Sequence, residues 1–131
     1  MWGTGSRQGF AVNNDTFNER LFPLLITGDR PSARAVIAEA ISDGWSAEDV
    51  ARNGFWPVLD SITTLFRQDQ LTTLAHHYVT RLLRSLVDQV QAGYQQAASR
   101  DRSVLLFCGP GEGDDLAAQI VADLCEADGF A

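Results

Sequence analysis

The sequence contains no lysine: all ten of its basic residues are arginine. Without a lysine amine there is no Walker phosphate loop, no pyridoxal Schiff base and no Ser-Lys nucleophile pair in these residues. Acidic residues outnumber basic ones 17 to 10, which gives a net charge of −7, and the bases are spread thinly along the chain. Because binding to duplex nucleic acid needs clustered positive charge, direct nucleic-acid contact is disfavoured.

Cysteine and long apolar runs are also scarce. Cys108 and Cys125 are the two thiols among 131 residues, which is typical of a reduced, cytoplasmic protein. No apolar run approaches the ~20 residues that span a bilayer, and the first residues lack the apolar middle of a signal peptide. At 45% apolar and 21% charged residues, the composition predicts a soluble chain with one packed core.

The apolar pattern predicts helices over residues 15–98. Residues 1–14 are rich in Gly and Asn and lack periodicity, so we expect a flexible leader. Joined by short turns, the four main helices are expected to form an antiparallel bundle. The four main helices are predicted from Asp15 to Gly28, from Pro31 to Gly44, from Phe55 to Phe66 and from Leu71 to Ala97. A short helix from Ser46 to Asn53, followed by a break at Gly54, precedes the third of them.

The pattern changes in residues 99–131. Val104–Cys108 is a run of five apolar residues, typical of a strand buried on both faces of a parallel sheet. A loop over Gly109–Gly113 leads into a helix predicted to start at Asp114 or Asp115 and to end at Ala127. We therefore expect a mainly α chain, in which the bundle precedes the first strand–helix unit of a doubly wound, flavodoxin-like α/β domain. Such a domain needs roughly 100 residues, so either the chain is a fragment or the unit pairs with something else.

This order of elements resembles the cobalamin-binding module of methionine synthase, of the corrinoid carriers of methyltransferases and of light-sensing MerR-type regulators. Residues 24–50 look like the opening of the helical cap of that module, and residues 99–131 like the start of its Rossmann-like domain. In the regulators a Trp is followed, after nine residues, by a Glu-His pair, and these groups face the upper axial ligand of the corrin. Here Phe66 is followed, after nine residues, by His76-His77.

The loop after the first strand carries the second part of the resemblance. In the family it reads Asp-x-His-x-x-Gly, and its His ligates cobalt from below. The matching stretch is Glu112–Ala117, with Asp114 at the His position. The resemblance thus implies cobalamin as cofactor without a His ligand from below, in a slot between the start of the long helix and the Gly-Pro-Gly bend. The implied cofactor-binding residues are Phe66, Leu74, His76, His77, Glu112, Asp114 and Ala117, with His77 or His76 as the cobalt ligand.

Other interpretations of these residues stay open. His76 lies at the edge of the apolar arc of the long helix and His77 on its polar side, so both could be ordinary hydrogen-bonded or solvated residues. Phe66 could be a plain core aromatic. The carboxylates of residues 112–115 could cap the last helix, or could hold Mg²⁺ through oxygen ligands.

The resemblance implies a sensory or regulatory module with no turnover of its own, in which occupancy or loss of an axial group shifts the cap relative to the α/β half. One alternative is a corrinoid carrier for methyl transfer, which the missing lower His disfavours. Another is a degenerate module that has lost the cofactor and acts in protein–protein interaction. The expected partners are a corrinoid and either a second copy or an effector domain or protein, without a membrane.

Overall fold

The computed structural model describes residues 13–131, with side chains from residue 16 onward. This part of the chain is mainly helical, as predicted, and no helix in it has the length and apolarity to cross a membrane. The predicted leader lies outside the described residues, except for residues 13 and 14, which belong to the first helix. The helices are α1 (Asn13–Thr27), α2 (Arg30–Ser42), α3 (Ala47–Val50), a π-helical turn (Ala51–Phe55), α4 (Trp56–Arg67), α5 (Thr73–Gln91) and α6 (Glu112–Ala127).

Helix α5 is shorter than the predicted helix over residues 71–97. It begins after Thr72, whose hydroxyl accepts a hydrogen bond from the backbone of the first turn at 3.0 Å. It ends at Gln91, and farther along the chain the N–H of Ala97 donates to the carbonyl of Ala127 in α6 at 2.8 Å. Residues 92–111 therefore form a connector without helix or strand between α5 and α6.

The predicted break at Gly54 does not occur. The π-helical turn joins α3 to α4 without interruption. In a regular α-helix the ring of Pro57 would crowd the carbonyl four residues earlier, and a wider π turn relieves such crowding. Gly54 serves the packing of the helices instead, because a Cβ atom on it would lie 2.6 Å from Cε1 of Phe17.

Gly54→Ala is therefore expected to destabilise the bundle. The added methyl group must displace the phenyl ring of Phe17, which is buried and stacked on Trp45 with ring centroids 5.2 Å apart. Overpacking of this kind costs about 1–3 kcal/mol, and the better helix propensity of Ala offsets about 1 kcal/mol. We expect a net loss of about 1 kcal/mol in the free energy of unfolding, measured by denaturant titration.

Gly113→Ala is the matched control for this prediction. A Cβ atom on Gly113 meets nothing closer than 3.9 Å, so the same substitution is accommodated and gains helix propensity. If both variants were equally stable, the approach of Phe17 would not explain the glycine at position 54.

One core runs through the bundle and reaches α6. The apolar faces of α1, α2, α4 and α5 meet at its centre, and α6 adds Leu116 and Ile120 from the outside. The largest fully buried side chains include Phe55, Leu21, Leu25, Ile37, Ile62, Leu83, Leu86, Leu116 and Ile120.

At the surface, the Arg20 guanidinium of α1 holds the pKa of the Glu39 carboxyl of α2 below its ordinary value, through a hydrogen bond of 2.7 Å.

The strand predicted over Val104–Cys108 is not formed, and within residues 13–131 there is no strand. The segment is exposed rather than buried on both faces: Leu105 is 78% and Phe107 87% exposed. A strand needs the backbone of a neighbour along its whole length, and here the pairing is confined to Ala131. Its N–H donates to the carbonyl of Arg102 at 2.9 Å, and its carbonyl accepts from the N–H of Val104 at 3.0 Å. The α/β part of the predicted fold is thus not shown.

Candidate functional site

The polar turn between α4 and α5 brings two predicted site residues face to face. Phe66 lies in the last turn of α4 and His76 in the first turn of α5. Their rings stack with centroids 4.1 Å apart and an angle of 17° between the planes. Both side chains are half-buried, and the stacked pair forms one aromatic surface at this end of the bundle.

His77 extends the same surface toward α6. Its Nδ1 lies 2.7 Å from Oε1 of Glu112, the first residue of α6. Both side chains are partly exposed, at 39% and 46%. The structure therefore brings four predicted residues, Phe66, His76, His77 and Glu112, into one cluster.

Further polar pairs continue from this cluster along α5. Arg84 donates to Oδ2 of Asp115 at 2.6 Å, and Gln91 donates to Oδ1 of Asp123 at 3.1 Å. His77, Arg84 and Gln91 are spaced seven residues apart, so they form one stripe along α5 that faces α6. Helix α6 therefore lies along α5, and it supplies the acidic partner of each of these three polar pairs.

Asp123 is the buried acid of this contact, with 6% of its surface exposed. Its Oδ1 accepts hydrogen bonds from the side-chain amides of Gln91 and Gln119, whereas Oδ2 is buried without a hydrogen-bond partner among the described residues. Its effect extends to the half-buried Tyr94. Burial, followed by the negative charges of Asp123 and Glu48, raises the pKa of Tyr94 to about 12.

The start of α5 and the start of α6 face each other, as the resemblance implies, but without a slot between them. A Cβ atom on Gly113 would lie 3.9 Å from both Nε2 of His76 and Oγ1 of Thr63, an ordinary van der Waals contact. A flat macrocycle between two surfaces needs two such contacts, one on each face, and thus a separation of roughly 7–8 Å. The imidazoles and the aromatic surface suit a corrin chemically, but this closed arrangement does not admit one.

The remaining predicted site residues lie around this contact. Asp114 accepts a hydrogen bond from the N–H of Gly111 at 3.3 Å, the helix-capping role that the sequence left open. Ala117 is half-buried and packs against the core. Leu74 is 62% exposed and borders a separate groove between α1 and α5, which it shares with Ile26 and Tyr78.

Among the residues that the structure describes, no group of three or more His, Cys, Asp or Glu side chains is placed so that it could hold a metal ion. The carboxylates of residues 112–115 are not such a group. Cys108 and Cys125 are both free thiols. Binding of cobalt through a single imidazole of His76 or His77 stays a prediction.

A family model described as the B12 binding domain matches residues 18–91, just over half of the chain. The chain belongs to this family. The match begins within α1 and ends at the last residue of α5, so the B12 binding domain here is the helical bundle, and α6 lies outside the matched range. Membership implies binding of a corrinoid, and the recognition of a cobalamin-binding cap from the sequence is confirmed. No curated protein matches the chain.

Sequence reasoning missed several residues of the contact between this domain and α6. Thr63 and Asp123 were not singled out, and Asp115 was considered only as a helix cap or a Mg²⁺ ligand, although each meets or approaches a residue of the facing helix. The signal was present in the spacing: polar residues recur at every seventh position on α5, and acidic or amide residues recur at three- and four-residue intervals on α6. Read together, the two stripes predict that these helices pair.

Proposed function

We propose that this chain is a cobalamin-binding sensory or regulatory module. Phe66, His76 and His77 cover the upper face of the corrin, with an imidazole of His77 or His76 available to cobalt. Glu112, Asp114 and Ala117 belong to the opposing loop and helix start. The module carries out no turnover of its own. Occupancy of the axial position changes how the bundle and α6 are arranged, and an effector domain or partner responds to that change.

The observation that carries this proposal is the stack of Phe66 on His76, next to His77. These rings lie within the residues that match the B12 binding domain, at one end of the bundle. A flat apolar ring beside two imidazoles suits a flat macrocycle with a metal at its centre, because aromatic rings stack on planar groups and neutral imidazole ligates cobalt. Asp114 stands where the family has its lower His, so the proposal includes no imidazole ligand from below.

The second candidate is an interaction module that has lost the cofactor. The direct contact of α6 with the bundle favours it, since His77 and Glu112 already satisfy each other. In that case the stripe of His77, Arg84 and Gln91 on α5 serves protein contact alone, and added cobalamin leaves the protein unchanged.

Spectrophotometric titration with adenosyl-, methyl- and hydroxocobalamin tests the proposal. We expect the corrin absorption bands to shift on binding. The shift with hydroxocobalamin should change in His76→Ala or in His77→Ala, because replacing an axial imidazole alters the cobalt ligand field. Asp88→Asn, an exposed change elsewhere on α5, is the matched control.

The outcomes separate the candidates. A bound spectrum of adenosylcobalamin that changes on illumination supports the sensor, and one that is unmoved by light but altered by a methyl donor supports the carrier. Failure to bind any of the three corrinoids leaves the interaction module. Spectra identical in wild type and both His variants would remove the imidazoles from the cobalt site.

A further inference from the structure

We infer that α6 is a displaceable cover: its first turn occupies the surface of the bundle that a corrin needs, so a corrin binds only when this end of α6 has left. The inference rests on the proposed function and adds a regulatory step to it. In the closed state the site is shut by residues of the same chain.

The closed contact uses the side chains that the corrin would meet. Glu112 holds Nδ1 of His77 at 2.7 Å, and Gly113 lies against His76 and Thr63. Both imidazoles of the proposed corrin surface are therefore already covered by the first turn of α6. Because the gap is a single van der Waals contact, α6 and a macrocycle exclude each other.

The interactions that hold α6 against the bundle can be broken at a low cost in free energy. The two closest polar pairs of this contact, His77–Glu112 and Arg84–Asp115, are partly exposed, and such pairs add little to stability because water solvates both partners after separation. On α6 only Leu116 and Ile120 are apolar and fully buried. Asp123 adds a buried carboxylate oxygen that finds no partner in the closed state, which favours opening.

The connector gives α6 the freedom to move. Residues 92–111 contain no helix or strand, and nearly all of them are exposed. Residues 96–104 are hydrogen-bonded to residues 126–131 at the end of α6, so opening at its start depends on residues 105–110. At about 3.3–3.6 Å per residue, these residues still span more than the separation that a macrocycle requires. Opening at the amino-terminal end of α6 therefore needs no rearrangement of the bundle.

A disulfide across the contact tests the inference. Thr63→Cys and Gly113→Cys are combined in a chain that also carries Cys108→Ser and Cys125→Ser. A Cβ atom on residue 113 lies 3.9 Å from Oγ1 of Thr63, close enough for a disulfide after a small side-chain adjustment. The probe is adenosylcobalamin in the dark, added after reductant has been removed by desalting. We expect the oxidised protein to bind at least tenfold more weakly than the reduced protein.

Each single-cysteine variant, oxidised in the same way, is the control and should bind like the reduced pair. Hydrogen exchange gives a second readout: adenosylcobalamin added to the reduced protein should raise the exchange of residues 112–120 and lower that of the start of α5. Equal affinities of the locked and unlocked forms would overturn the cover, as would a cysteine pair that does not cross-link on oxidation. Absence of binding by both forms would instead remove the proposed function, and the cover with it.

Discussion

Leu116→Ala is expected to loosen α6 from the bundle while the bundle itself stays folded. Leu116 is fully buried and is one of the two apolar anchors of α6. Truncation of a buried Leu to Ala costs about 2–5 kcal/mol. Because the core apart from Leu116 and Ile120 lies within residues 17–90, we expect this cost to appear as local opening of α6.

The same change should raise the affinity for a corrinoid. If only the open state binds, the apparent dissociation constant equals the intrinsic one divided by the open fraction, so a larger open fraction tightens binding. The gain is limited to the point at which α6 is open all the time. Titration with adenosylcobalamin in the dark measures the affinity, and hydrogen exchange of residues 112–127 measures the opening.

Leu83→Ala is the matched control, because Leu83 is also fully buried but lies on α5 in the centre of the bundle. It should lower the global free energy of unfolding by a similar amount and should not tighten binding. If Leu116→Ala unfolded the whole chain at the same denaturant concentration as Leu83→Ala, α6 would be an integral part of the bundle rather than a cover.

The helices of the bundle could be predicted because their signals are local. Apolar spacing marks the buried faces, and Ser46, where the short helix was predicted to begin, caps α3: its hydroxyl accepts from the N–H of Asp49 at 3.1 Å. The errors have tertiary causes. Gly54 looked like a break because a glycine in a helix is unfavourable, but the close approach of Phe17 requires it. Beyond Gln91 the chain pairs with the end of α6, which no local pattern reveals.

The strand over Val104–Cys108 was wrong for a related reason. Five apolar residues indicate burial, but a strand also requires a neighbour, and only Ala131 offers one here. Composition gave the apolar character of the segment correctly. The segment is exposed because no strand among the described residues lies beside it.

The candidate site could be predicted in part. The resemblance placed Phe66 and His76-His77 at one site, and the structure stacks Phe66 on His76. Their role toward a corrin stays a prediction. The distance between the bundle and α6 could not be predicted, because it depends on how two separate helices dock. Leu74 was placed with the others as implied by the resemblance, and it borders a different groove.

Asp123→Leu is expected to hold α6 more tightly against α5 and so to weaken corrinoid binding. The substitution removes a buried carboxylate oxygen that has no partner in the closed state and replaces it with an apolar side chain beside the core. A buried polar group without a partner costs about 1–3 kcal/mol. If closure gains that free energy and the chain is already mostly closed, the apparent affinity for adenosylcobalamin falls by roughly 5- to 150-fold.

Asp123→Asn is the control that separates charge from hydrogen bonding. The amide oxygen can still accept from Gln91 and Gln119, while a buried polar atom without a partner remains, so its effect on affinity should be the smaller one. For Asp123→Leu, hydrogen exchange of α6 should slow as the affinity falls. Slower exchange with unchanged affinity would mean that a corrinoid binds without release of α6, and faster exchange would mean that the carboxylate stabilises the closed state.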